Sequence, residues 1–185
     1  LDNVKICNHG NKEKMVLITF DDGWLSNYNI VFPIMKELNL KFNIFLAVGA
    51  IGKKDNYITW DMVNEMVDSG LVGFGAHTFN HIDVRLINKS NVDTEIYNSN
   101  RKIYDRTGLE VKDFCFPYGY YDNKTINLLN ELRAYRRIYT SDGRRLSIKD
   151  NIYIVGRVGI ENEDTKNDFI SKLEGRYNNY YYIVH

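Results

Sequence analysis

Short apolar runs alternate with amphipathic segments along the chain, the arrangement of a parallel β/α fold. Residues 15–20 (MVLITF) predict a buried strand, 42–48 (FNIFLAV) a second and 71–76 (LVGFGA) a third. The third is rich in glycine, as where a backbone or ligand approaches closely. Between the first two, 26–38 carries Ile30, Val31, Ile34, Met35 and Leu38 at the spacing of one helical face, with Pro33 near enough to its start to be tolerated. Thr59 reads as the N-cap of a helix over 60–69 with Met62, Val63, Met66 and Val67 on its apolar face and Gly70 as its stop. A long helix is expected over 90–107, ending at Gly108. Strands follow over 113–116, 137–140 and 152–155, with one helix running from Asp122 as cap to Arg133 and another from Asp164 to Leu173. Residues 180–184 predict a closing strand. With about seven strands, most followed by a helix, and no repeat or break in composition, one α/β domain across 1–185 is expected, shaped as a closed or partly closed β/α barrel.

Composition narrows the partners. A chain of 185 residues with 44% hydrophobic positions and two prolines can bury a core without disulfides. Lys plus Arg and Asp plus Glu number 24 each, so no net field attracts nucleic acid or an anionic membrane surface. A neutral polymer or small molecule fits better. Cys7 and Cys115 are read as reduced thiols. No run approaches the roughly 18 apolar residues of a spanning helix, and residues 1–10 lack the regions of a signal peptide. The first residue is Leu1, which leaves a leader or further domain open, and with it localisation and oligomeric state.

In a β/α barrel the chemistry sits at the C-terminal ends of the strands. Asp21-Asp22-Gly23, His77-Thr78-Phe79-Asn80-His81, Pro117-Tyr118-Gly119 and the final His185 each follow an expected strand. The two carboxylates would point to opposite sides of an ideal strand but can converge once the chain turns at Gly23. Crowded together, they cannot both be free bases; a metal taking one leaves the other as a general base. Asp-Asp-Gly alone would more often be a simple turn. His77 and His81, four apart, put two imidazoles on the same side of a helical turn, within reach of one ion. Two histidines and a carboxylate leave an open position for water, as in catalytic rather than structural zinc.

These residues resemble the first motifs of the polysaccharide deacetylases, carbohydrate esterase family 4, or NodB homology domain. The match lies in Thr19-Phe20-Asp21-Asp22-Gly23, His77 to His81 and Phe116-Pro117-Tyr118-Gly119, and Tyr182-Ile183-Val184-His185 is similar to the family's last motif. The resemblance implies a single deformed (β/α)7 barrel and metal-dependent removal of N-acetyl groups from a glycan. It implies Asp22, His77 and His81 as ligands of a divalent metal, zinc first, with cobalt, nickel or manganese also suited to that set. It implies Asp21 as the base, the Tyr118 N–H as an oxyanion donor and His185 as the acid, with His9 the other candidate acid. Trp24, Tyr118, Gly119, Tyr120 and Tyr121 are candidates to line the groove.

Two departures stand out. The third motif usually begins with an arginine that pairs with the catalytic aspartate, whereas this chain has Cys115 there, in a Phe114-Cys115-Phe116-Pro117-Tyr118-Gly119 form similar to poly-N-acetylglucosamine deacetylases. A thiol cannot make that charged contact, so Arg157 is the candidate replacement. The fourth motif is not recognisable between Arg137 and Gly159. An amidohydrolase acting on a non-sugar amide, or a non-catalytic glycan-binding relative, are the alternatives.

Overall fold

The computed structural model describes residues 16–143 and 146–175. Its sheet comprises β1 (Ile18–Asp22), β2 (Phe42–Leu46), β3 (Val72–Ala76), β4 (Asp113–Cys115), β5 (Arg137–Thr140), β6 (Ser147–Lys149) and β7 (Ile152–Gly156). Their spatial order is β1-β2-β3-β4-β5-β7-β6. All neighbours are parallel except β6 and β7. The sheet is curled into a half-barrel, and among the described residues β1 and β6 are its edges. The expected barrel is therefore present in part, and the expected strand over 180–184 lies outside the described residues. The antiparallel β6 was not anticipated; it is short and largely exposed, so no apolar run marks it.

Strict alternation builds both faces. Ile18 and Phe20, Phe42, Ile44 and Leu46, Val72 and Phe74, and Ile152 and Ile154 pack into the main core. The opposite positions form the concave face, where Phe45, Cys115 and Tyr139 are buried against Leu17 and Val155. Convergence of side chains from β2, β4, β5 and β7 on one small cluster is what the curl achieves. Gly75 makes room in it, since a Cβ there would lie 2.6 Å from Phe45 Cδ1 and 2.9 Å from the Asp113 carbonyl oxygen.

The helices are α1 (Phe32–Glu37), α2 (Trp60–Asp68), α3 (Ser99–Thr107), α4 (Asn123–Leu132) and α5 (Lys166–Leu173). Thr59 caps α2, its Oγ1 accepting the Met62 N–H at 3.3 Å, and Asp122 caps α4 through the Thr125 N–H at 2.7 Å. Gly70 and Gly108 end α2 and α3 with positive φ. The expected helix over 26–38 is instead a π-helical turn, Asn27–Val31, continued by α1. Widening the turn rotates the buried face onto Phe32 and Met35, so Ile30, Ile34 and Leu38 are exposed, contrary to the helical-face reading. The long helix expected over 90–107 likewise divides into a π-helical turn, Asp93–Asn98, and α3. Among the described residues no helix is long and apolar enough to cross a membrane.

Candidate active site

Parallel strands bring their C-terminal ends to one rim, and the polar motifs collect there. Asp21 and Asp22 are the last two residues of β1. Asp21 faces the concave side. Alternation alone would send Asp22 outward, but its φ of 70°, followed by 84° at Gly23, swings its carboxylate back toward the residues after β3. A side chain at Gly23 would be strained by its φ of 84° and crowded, a Cβ lying 2.7 Å from Ile51 Cδ1.

Asp22 Oδ1 lies 3.5 Å from His77 Nε2 and 3.1 Å from His81 Nε2. The histidines are not on a helical turn, as their spacing had suggested, but on a loop in which Thr78 and His81 take φ of 60° and 56°. Left-handed backbone at a residue other than glycine costs on the order of 1–3 kcal/mol and persists where surroundings over-determine it. Asp22, Thr78, His81 and Tyr118 all adopt it, and all belong to this rim.

His77 is 2% exposed and its Nδ1 meets the Cys115 carbonyl oxygen at 2.8 Å. That contact places the proton on Nδ1 and leaves the Nε2 lone pair facing Asp22. Burial is the largest influence on the imidazole and holds its pKa below the ordinary histidine value despite the nearby carboxylates, so the ring is neutral at neutral pH. Trp24 Nε1 donates to Asp22 Oδ2 at 2.9 Å, while among the described residues buried Oδ1 accepts no hydrogen bond. A carboxylate oxygen and two imidazole nitrogens thus face a common point, an arrangement a divalent cation resolves. The donor set fits a metal.

A rival trio, Asp21, His77 and Cys115, also lies within ligating distance of a common point. Its donors are committed elsewhere. Burial, then the charge of Asp21, pushes the Cys115 thiol well above its ordinary pKa, and Asp21 is occupied by Arg157.

Arg157, just past β7, donates through Nη1 to Asp21 Oδ1 and through Nη2 to Oδ2, both at 2.7 Å. Further bonds to Thr19 Oγ1 at 3.2 Å and Ser141 Oγ at 3.3 Å, and the Phe45 ring 5.6 Å beneath the guanidinium, fix its orientation. Burial pulls the Asp21 pKa up, but the Arg157 hydrogen bonds and charge outweigh it and keep the carboxyl below its ordinary value. Ser141 and Phe45 were not singled out from sequence, since only the curl of the sheet joins them to Arg157.

The outer rim is aromatic. Trp24, 39% exposed, lies over Tyr57 with ring centroids 4.4 Å apart. Tyr118, 61% exposed, sits on His81 at 4.5 Å and donates through its hydroxyl to the His81 carbonyl at 3.3 Å. Gly119 and Tyr120 continue from it, and Tyr120 lies under Arg85 at 4.6 Å. Tyr121 turns away to bond Asp142. His185 and His9 lie outside the described residues.

The profile of one family, polysaccharide deacetylase, matches residues 8–136. The chain belongs to the polysaccharide deacetylase family. Within it, the chain is 27% identical over 148 residues to YxkH of Bacillus subtilis (strain 168), a protein named as a polysaccharide deacetylase, covering 80% of this chain and 52% of that one. It is 31% identical over 83 residues to the poly-β-1,6-N-acetyl-D-glucosamine N-deacetylase of Escherichia coli (strain K12), covering 37% of this chain and 12% of that one. The chain thus spans about half of the first relative and a small part of the second. Among solved structures, IcaB from Ammonifex degensii superposes with a TM-score of 0.69 at 27% identity, over 85% of this chain and 72% of that one.

Proposed function

We propose that the chain is a metal-dependent hydrolase that removes N-acetyl groups from the amino sugars of a polysaccharide or oligosaccharide. The observation that carries this reading is Asp22 Oδ1 facing the Nε2 atoms of His77 and His81 beside an Asp21 clamped by Arg157. Family membership and the likeness to a poly-N-acetylglucosamine deacetylase support the substrate class. Asp22, His77 and His81 would hold the ion, zinc by preference, with cobalt, nickel or manganese as alternatives. When bound, it supplies Lewis acidity that polarises an acetyl carbonyl and acidifies a water.

The chain's own groups do the rest. Asp21, kept ionised by Arg157, takes a proton from the attacking water. The water oxygen bonds to the acetyl carbon, and the Tyr118 N–H faces the resulting oxyanion. Collapse breaks the carbon–nitrogen bond and releases acetate, while the sugar amine leaves with a proton from His185. Trp24, Tyr118, Gly119 and Tyr120 form the sugar-facing rim, and the exposure of Trp24 and Tyr118 favours an open groove suited to a polymer. The finer architecture, a deformed (β/α)7 barrel, belongs to the same proposal.

The test is acetate release by zinc-loaded protein from β-1,6- and β-1,4-linked N-acetylglucosamine oligomers and peptidoglycan fragments. Asp21→Asn is expected to lower the rate by about 10²-fold or more while zinc still binds. No acetate from any substrate sinks the hydrolase, and an undiminished Asp21→Asn rate sinks the base.

A further inference from the structure

Glu95 belongs to none of the motifs, yet it is 4% exposed. It sits on the π-helical turn Asp93–Asn98 that leads into α3. Among the described residues its carboxylate pairs with no cation. Instead Oε2 accepts the backbone N–H groups of Phe79 and Asn80 at 3.1 and 3.0 Å, and Oε1 accepts the Asn80 side-chain amide at 2.7 Å. All three donors lie between His77 and His81. The other side of this segment is held by β2's exit: the Gly49 N–H donates to the Phe79 carbonyl at 2.6 Å and the Val48 N–H to the Thr78 carbonyl at 3.4 Å. Thr78 Oγ1 closes the turn by accepting the Ile82 N–H at 3.1 Å.

A carboxylate meets this donor set with every oxygen accepting. One oxygen takes two backbone N–H groups that the left-handed residues Thr78 and His81 leave outside any helix or sheet, while the other takes a side-chain amide. A glutamine could keep both backbone N–H groups on its one oxygen if the Asn80 amide turned over to accept from its NH₂, whereas an alanine leaves all three donors without an acceptor.

We infer that Glu95 is a positioning residue for the metal site, fixing the 77–81 loop so that His81 Nε2 faces Asp22 Oδ1. The inference rests on the reading of Asp22, His77 and His81 as metal ligands. Glu95→Ala is expected to weaken zinc affinity, measured by competition with a chromophoric chelator, by about 10–100-fold, as loss of an outer partner of metal ligands does. The visible spectrum of the cobalt-loaded protein is expected to change with it. Asn80→Ala, which removes only the 2.7 Å donor, is expected to weaken affinity less. If both variants keep wild-type zinc affinity and cobalt spectrum, whatever their melting temperatures, Glu95 merely supports the fold and the inference is overturned. Should Glu95→Ala fail to fold, Asn80→Ala decides by the same readouts. Wild-type protein that binds no zinc, or His81→Ala that binds it equally well, overturns the metal reading itself and is distinguishable from failure of Glu95 alone.

Discussion

Arg157 and Asp21 meet through two parallel N–H···O bonds of 2.7 Å although one follows β7 and the other ends β1. Cys115 fills the side of Asp21 that faces β4, with its Sγ 3.7 Å from Oδ2, and the cation arrives from the opposite flank of the curled sheet. The pairing is geometrically bidentate, which a lysine cannot reproduce.

Replacing Arg157 by methionine leaves a partly buried carboxylate unpaired. The expected cost at pH 7 is about 1–3 kcal/mol, read as a lower denaturant midpoint. Arg157 is what holds the Asp21 pKa down against burial. The pair's stabilisation is therefore present above the ordinary carboxylate pKa of about 4 and lost as pH falls through the lower folded value. The gap between wild type and Arg157→Met should narrow in melts at about pH 3, and a gap of equal size at both pH values would rule out the ion pair as its cause. In the variant the acid limb of the pH–rate profile is expected to move to higher pH.

Zinc should stabilise the protein through Asp22, His77 and His81. At a free concentration 100-fold above Kd the gain is about 2.7 kcal/mol, seen as a raised melting temperature. Chelation should remove both the gain and acetate release. His77→Ala or Asp22→Asn is expected to abolish the zinc-dependent shift, whereas Cys115→Ser keeps it; a shift lost in Cys115→Ser would favour the rival trio.

The concave face has no spare volume at Gly75. Gly75→Ala forces the Phe45 ring or the Asp113 backbone to move and is expected to cost about 1–3 kcal/mol. Because Phe45 lies beneath the Arg157 guanidinium, acetate release should fall as well. A wild-type melting temperature in this variant would refute the close packing.

Trp24 is expected to have two separable roles. Trp24→Phe keeps an aromatic face beside Tyr57 but removes the N–H on Asp22 Oδ2, so zinc affinity should drop with little change in KM for oligosaccharides. Trp24→Ala should raise KM in addition. Equal KM values in the two variants would argue against sugar contact.

Much of the architecture is legible because strand runs such as 42–48 and 152–155 are apolar and bounded by turn residues, and because Thr59 and Asp122 carry their capping chemistry openly. The meeting of Asp22, His77 and His81 is legible from residue type and spacing, although the loop that presents the histidines is not the expected helical turn. The Arg157 pairing follows from the missing arginine at Cys115. What stays hidden depends on neighbours distant in sequence. Ile30, Ile34 and Leu38 look like a core face until the π-helical turn re-aims the segment. Glu95 sits in a polar stretch, VDTEIYNSN, where nothing marks it as buried.

The order in which these parts leave the ribosome carries a consequence. Asp22, His77 and His81 all precede β4, whereas Arg157 follows β7. A nascent chain exposes all three proposed metal donors while the residue that orients Asp21 is still unsynthesised. On the proposed reading the ligand set is complete before the base can be aligned, and a chain interrupted before β7 would lack the clamp on Asp21.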